Sequence, residues 1–479
     1  MPDIRTWQLA TGAAALGLAL AAGTVVAAGP WESGQRTAER DLAAADRAGG
    51  GRGGDGGRRH PGDEHAPAPA PSALPVLKAL GASAGAGRGE AAAEAGGAVR
   101  ADAELARRLE PLLRDPGLGK RPGVSVVELS TGRELYGREP GRAVVPASTV
   151  KIATAAAALS ALGPYHRIPT TVSASPDGRK LTLVGGGDAT LDRKRLATLA
   201  DRTAGDLRGR KVRAVTLAYD TSAYRGPDLH PIGVNPNIAR VTPLMVDQGR
   251  TGSGSGGPGD RTADPAGEAA RAFGELLEGR GVEVTGDPAP GRPGKGAKPL
   301  AEVVSAPLSA LVERMLTRSD NDIAESLARQ TAIALGEEPS FAGAGRAVKR
   351  QLGTLKVPLA GARFADGSGL DRRGRVAPRL LTALLARAAE PVRPGLRPIL
   401  TGLPIGGFTG TLESRLTGDS PVGGVLRAKT GTLSGVNALS GTVATPEGGL
   451  LAFAFLATGT PSPTAAQPAL DRLATALTP

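Results

Sequence analysis

Ser148 stands three residues before Lys151 in the stretch VVPASTVKIA, Val144 to Ala153, where a Gly-rich chain turns abruptly apolar. That spacing puts both side chains on one face of a helix, one turn apart. An amine so placed can hydrogen-bond the hydroxyl, and with its pKa depressed by burial or a second cation it becomes a general base for a serine nucleophile. A helix N-terminus at Ser148 would add positive partial charge where an oxyanion develops. The plain alternative is a helix cap, because serine is a favoured N-cap and Ser-x-x-Lys arises by chance.

Two further motifs downstream decide between these readings. Ser319-Asp320-Asn321 falls between two helix-forming segments, and Lys429-Thr430-Gly431-Thr432 lies on an extended run. In the order S-x-x-K, S-D-N, K-T-G, each in a fitting local context, they make an acyl-transfer site. Ser148 would attack a carbonyl and Lys151 accept its proton. Ser319 would relay that proton to the leaving amine, Asn321 would orient the substrate amide, and Asp320 would support the loop. Lys429, with the hydroxyls of Thr430 and Thr432, would bind a substrate carboxylate. Gly431 would let a substrate backbone approach, and the N–H groups of Ser148 and Thr432 would form the oxyanion hole. This chemistry requires no histidine, metal or cofactor, and His166 and His230 are assigned ordinary structural roles.

Several look-alikes are set aside. Arg250-Thr251-Gly252 resembles K-T-G but sits in a loop sequence before the S-D-N. Gly81 to Gly85 matches G-x-S-x-G without the flanking strand and helix. GGGD, Gly185 to Asp188, lacks the Gly-Lys-Ser/Thr of a phosphate loop and is assigned to a turn. DGSGL around Ser368 is assigned to a structural turn. His60 and His65 lie where nothing would fix a metal geometry.

The elements that must hold these residues begin near Ala101. AELARRLEPLLRD has amphipathic helical spacing, GVSVVELSTGRELYGREP reads as two strands, and STVKIATAAAALSALG reads as a buried helix. Between Pro169 and Leu300, RKLTLVGGGD, RAVTLAYD and GVEVTGD read as short strands, so a β-rich insert is expected over 169–300. The catalytic domain then comprises 101–168 and 301–479.

Residues 30–100 are dominated by Ala, Gly, Arg, Pro and acidic residues, which bury too little apolar surface to offset chain entropy, and they are expected to be a disordered linker. Before them, Leu9 to Ala28 is uncharged and apolar, so 1–29 is expected to be a signal peptide or a membrane tether through residues 9–28. That places the chain outside the cytoplasm, whether secreted, wall associated or anchored. The net charge of +12 comes with no basic–aromatic interleaving, so no nucleic-acid partner is expected. The absence of cysteine excludes disulfides and thiol catalysis.

Nearly everything after residue 101 resembles the D-Ala-D-Ala carboxypeptidase/endopeptidase family of low-molecular-mass penicillin-binding proteins with an inserted domain. Beyond the three motifs, the similar segments are LVGGGDATL (Leu183 to Leu191), DTSAYRGP (Asp220 to Pro227), SAPLSALVERML (Ser305 to Leu316), FADGSGLDR (Phe364 to Arg372) and KTGTLSGVNALSG (Lys429 to Gly441). GPDLHPIG departs from the family in lacking a tryptophan. The resemblance implies an α/β (α+β) serine DD-peptidase/β-lactamase-like transpeptidase fold, an antiparallel sheet flanked by helices with the serine helix beside it. It implies peptidoglycan stem peptides as substrate and β-lactams as acylating inhibitors. The alternatives are a β-lactamase, for which no E-x-x-L-N follows Ser319, and a non-catalytic wall or β-lactam-binding module of the same fold.

Overall fold

The computed structural model describes residues 102–252 and 257–478. The apolar segment 9–28, the linker over 30–100, and the Gly81–Gly85, His60 and His65 look-alikes lie outside these residues. The first half runs α1 (102–112), β1 (Gly123–Glu128), β2 (Glu134–Arg138), α2 (Lys151–Leu162), β3 (Pro169–Ala174), β4 (Lys180–Gly185), α3 (Arg193–Gly209), β5 (Ala214–Asp220) and α4 (Pro265–Glu278). There follow β6 (Glu283–Val284), β7 (Ala289–Pro290), β8 (Lys298–Val304), α5 (Leu308–Arg318), α6 (Asn321–Ala334), α7 (Phe341–Thr354), α8 (Pro378–Ala389), β9 (Leu426–Leu433), β10 (Val436–Ala444), β11 (Leu450–Thr458) and α9 (Pro463–Thr475), with short helical turns between them.

The main sheet is antiparallel, in the order β2-β1-β11-β10-β9. Its central strand β11, LLAFAFLAT, is buried on both faces, which is why it reads as a continuous apolar run rather than an alternating one. Successive side chains nevertheless go to opposite sides. Ala452, Ala454 and Leu456 join the core built with α2, α5, α6, α7 and α8, while Phe453 and Phe455 join the core built with α1 and α9. The result is a sheet between two helical layers.

Helix α2 is the centre of the larger layer. KIATAAAALSAL is buried from Lys151 through Leu159, and a helix apolar all round can persist only inside a core. It ends at Gly163, whose φ of 83° is open to glycine and whose N–H bonds Leu159 O.

The insert leaves and re-enters side by side. Ser305 N–H donates to Ile168 O and Ser305 Oγ accepts from Ile168 N–H, both at 2.9 Å, just where β3 and β8 begin to pair at Pro169 and Val304. Its sheet, β6-β5-β4-β3-β8 with β7 added to β5, is mixed: β3 pairs antiparallel to β4 and β8, and β5 pairs parallel to β4, β6 and β7. Beside these strands the stretch also holds two helices that its sequence did not announce. α3 and α4 contribute Leu196, Leu199, Leu207, Phe273 and Leu277 to the insert's core. A parallel β4–β5 pair needs a crossover, and α3 supplies it.

Candidate active site

Ser148 lies in a 3-10 turn, Ala147–Val150, that leads directly into α2. It does not cap the helix; no side-chain cap bond forms there, and its hydroxyl instead accepts from Lys151 Nζ at 3.0 Å. Ala147, just before it, has a φ of 46°, a left-handed conformation rare for a non-glycine residue and common beside reacting groups.

Lys151 is fully buried, and its amine has two more partners, Asn321 Oδ1 and Ser368 O, each at 2.7 Å. Burial pushes the amine down to about 8 from the ordinary lysine value, against the opposing fields of Asp366 and Glu325. A lysine titrating there is neutral in roughly a tenth of molecules at pH 7, so it can take a proton from a hydroxyl.

Ser319 terminates α5 in the left-handed conformation, with a φ of 55°, and Asp320 caps α6 by accepting from Ile323 N–H at 3.0 Å. Asn321 therefore starts a helix. Its Oδ1 faces Lys151, and its Nδ2 donates to Asn237 O at 2.9 Å. Both ends of the amide are fixed.

Lys429 belongs to β9, the edge strand of the main sheet. Its amine is fully buried and donates to Ser319 Oγ and Thr430 O, both at 2.9 Å. Burial, and then the charge of Lys151, hold its pKa well below the usual lysine range. Thr430 Oγ1 donates to Thr411 Oγ1 at 2.8 Å, and Thr432 is exposed. A methyl group on Gly431 would sit 2.9 Å from Pro146 O and 3.2 Å from Ala147 Cβ, so the strand lies flush against the Ser148 turn because position 431 has no side chain.

These residues share one cleft of about 400 Å³, lined by Ser148, Ser319, Asn321, Thr430 and Thr432 together with Asn237. Arg250, Arg261, Arg318 and Arg415 also border it, so its rim is cationic even though Arg261 pairs with Asp322 and Arg415 with Asp471. Arg250-Thr251-Gly252 is not a second K-T-G strand; of the three only Arg250 borders this cleft, while Thr251 and Gly252 line a neighbouring hollow.

Behind Lys151 stand Glu325, to which the sequence reading assigns no role, and the DGSGL turn and His230, to which it assigns only structural ones. Asp366 accepts from Gly369 N–H at 2.9 Å, Asp371 N–H at 2.7 Å and Ser368 Oγ at 3.1 Å. Glu325 Oε1 accepts from Gly367 N–H at 3.0 Å and Ser368 N–H at 2.9 Å. Two buried carboxylates thus shape the DGSGL turn so that Ser368 O meets Lys151 Nζ. His230 Nε2 is 3.1 Å from Asp366 Oδ2, and Nδ1 accepts from Ile232 N–H at 3.2 Å, which fits a neutral ring donating to Asp366. His230, Glu325 and Asp366 have donor atoms within 4.8 Å of one another, the spacing of a metal site. Asp366 Oδ2 already takes three donors and Glu325 Oε1 two, so these atoms serve the turn.

A serine and a buried lysine one turn apart, beside an antiparallel sheet whose edge strand carries a second buried lysine, define a serine acyl-transfer protein of the DD-peptidase/β-lactamase-like class. The D-Ala-D-Ala carboxypeptidase 3 (S13) family matches residues 105–253 and 258–477, and the chain belongs to that family. A carboxypeptidase DacB of Mycolicibacterium smegmatis is 37% identical over 78% of this chain and 83% of its own length. A D-alanyl-D-alanine carboxypeptidase of Actinomadura is 34% identical over 77% and 84%. The crystal structure of penicillin-binding protein 4 (DacB) of Haemophilus influenzae superimposes with a TM-score of 0.65 at 22% identity, covering 78% of this chain and 98% of that one. The same protein complexed with a β-lactam gives 0.62. The protein is thus a serine-type hydrolase of the D-Ala-D-Ala carboxypeptidase family, and peptidoglycan as target means extracytoplasmic action. Among the described residues no helix is long and apolar enough to cross a membrane.

Proposed function

We propose that Ser148 Oγ attacks the penultimate D-Ala carbonyl of a peptidoglycan stem peptide while Lys151 takes its proton. The new Oγ–C bond forms, the C–N bond breaks, and terminal D-Ala leaves after receiving a proton through Ser319. Water then attacks the acyl-enzyme and releases the shortened peptide, with the proton returning to Ser148 by the reverse route. Asn321 holds Lys151 and offers its amide to the substrate chain. Lys429, with no acidic partner among the described residues, is the natural seat for the peptide's terminal carboxylate, with Thr430 and Thr432 beside it. The N–H groups of Ser148 and Thr432 converge on the oxyanion.

The observation that carries this reading is the 3.0 Å contact between Ser148 Oγ and a buried Lys151 whose pKa is lowered to about 8. The cationic rim supports an anionic peptide as ligand. β-Lactams fit the same site as acylating inhibitors, and the apolar segment 9–28 fits an export signal or tether.

Incubating purified enzyme with a pentapeptide ending in D-Ala-D-Ala and with a purified cross-linked dimer tests this. Release of D-Ala from the first supports carboxypeptidase action, and cleavage of the second adds endopeptidase action. Failure on both substrates defeats the proposal.

A further inference from the structure

The three residues after Ser319 are each bonded, through their side chains, to the insert. Asp320 accepts from Gln248 Nε2 with both oxygens, at 2.9 and 2.7 Å. Asn321 Nδ2 donates to Asn237 O, and Asp322 accepts from Ala239 N–H at 2.8 Å while pairing with Arg261 at 3.2 Å. Gln248 and Asp322 are buried, and the Arg261 side chain is only 6% exposed.

The segment that delivers Gln248 has an unusual backbone. Asp247, Gln248 and Gly249 have φ values of 49°, 58° and 62°, three left-handed residues in succession of which two carry side chains. Such a turn persists only when its surroundings over-determine it. Here Arg261 Nη1 donates to Gln248 O at 2.6 Å, and Thr262 N–H donates to Gly249 O at 2.8 Å. The same Arg261 thus fixes the turn with one nitrogen and Asp322 with another.

We propose that Gln248 and Arg261 are positioning residues for acyl transfer: the insert clamps Asp320 to Asp322 so that Ser319 meets Lys429 and Asn321 meets Lys151. The clamp gives the insert a role in the reaction itself. It rests on the Ser148–Lys151 reading above and is tested separately from it.

Gln248→Glu is the informative variant, since it keeps shape and exchanges a donor for a titratable carboxyl. The charged groups around it are Asp320, which caps α6, and Asp322 on α6; Arg314, 3.8 Å from Asp320, and Arg318 on α5; Arg193 on α3, paired with Asp247, and Asp192 before it; and Arg250, Arg261 and Asp247 on its own loop. Protonated, the introduced carboxyl donates to Asp320 as the amide does; ionised, it repels Asp320. The measurement is the acylation rate of the full chain by a fluorescent penicillin, resolved into initial binding and the covalent step. It is made from about pH 5.5 to 8.5, the range into which burial and the facing Asp320 carboxylate raise the introduced carboxyl from its ordinary value of about 4. The expected result is a variant-to-wild-type ratio close to one at the acid end, falling about tenfold or more by pH 8, with the loss in the covalent step. Arg261→Gln, and Gln248→Met should the first variant fold poorly, are expected to slow the same step about tenfold without that pH dependence. Folded variants that acylate like wild type at every pH, or a loss that only tracks the unfolded fraction by circular dichroism, overturn the clamp. Continued labelling of Ser148→Ala would instead overturn the reading on which it rests.

Discussion

Lys429 donates to Ser319 across 2.9 Å, joining the edge strand to the left-handed residue between α5 and α6. Burial and the charge of Lys151 hold its amine well below the usual lysine range with only a hydroxyl and a carbonyl as partners, so an apolar side chain of similar length would sit there at no loss of stability. Lys429→Met is therefore expected to leave the melting temperature unchanged or raised, while acylation by a carboxylate-bearing penicillin slows on the order of a hundredfold. Calorimetry alongside labelling kinetics checks it; a strongly lowered melting temperature would show that the amine is structural.

The acylation rate should rise with pH. Lys151 must be neutral to accept the Ser148 proton, and its pKa is lowered to about 8, so the rate climbs from pH 6 and levels off above about 8. A rate that is flat or falls between pH 6 and 8 would exclude Lys151 as the base.

The position of that rise should respond to Glu325. Its charge favours the protonated form of Lys151, and its oxygen receives the amides of Gly367 and Ser368. Glu325→Gln keeps an acceptor and removes the charge, so the midpoint should shift below that of wild type, with acylation at pH 7 at least as fast. A midpoint shifted upward would contradict the electrostatic account.

Gly369 packs against the Ser148 turn with a φ of 84°, and a methyl group there would meet Ala147 O at 2.0 Å. Gly369→Ala should destabilise the protein by about 1–3 kcal/mol and slow acylation, because the carbonyl oxygen it strikes lies one residue before Ser148. Denaturant unfolding together with labelling measures both effects; a variant with wild-type values for both would show that the turn yields freely.

Much of the candidate site's composition was legible because its residues come in short motifs with fixed spacing, which the fold brings into contact. Ser148 and Lys151 are one turn apart in an Ala-rich run, and Ser319 and Asn321 sit where one helix stops and the next starts. Of the main sheet, β1 and β2 and the extended run at Lys429 were legible from turn signals and motif, while β11, a continuous apolar run without alternation, was not read as a strand. What escaped was whatever depends on distant segments meeting. Nothing local in MVDQGR announces that Gln248 reaches Asp320 or that Arg261 reaches Asp322. His230 and Asp366 are 136 residues apart and become neighbours only through the fold. The helices of the insert were missed because their polar exposed faces dilute the apolar spacing of Leu196, Leu199 and Leu207, which marks the buried stripe of α3.

Intact-protein mass spectrometry after incubation with a penicillin, followed by mapping of the modified peptide, tests the central claim most directly. The account predicts one added penicillin per chain, located on the peptide containing Ser148 and absent from Ser148→Ala. A covalent adduct on any other residue, or an adduct that survives the Ser148→Ala change, would contradict it.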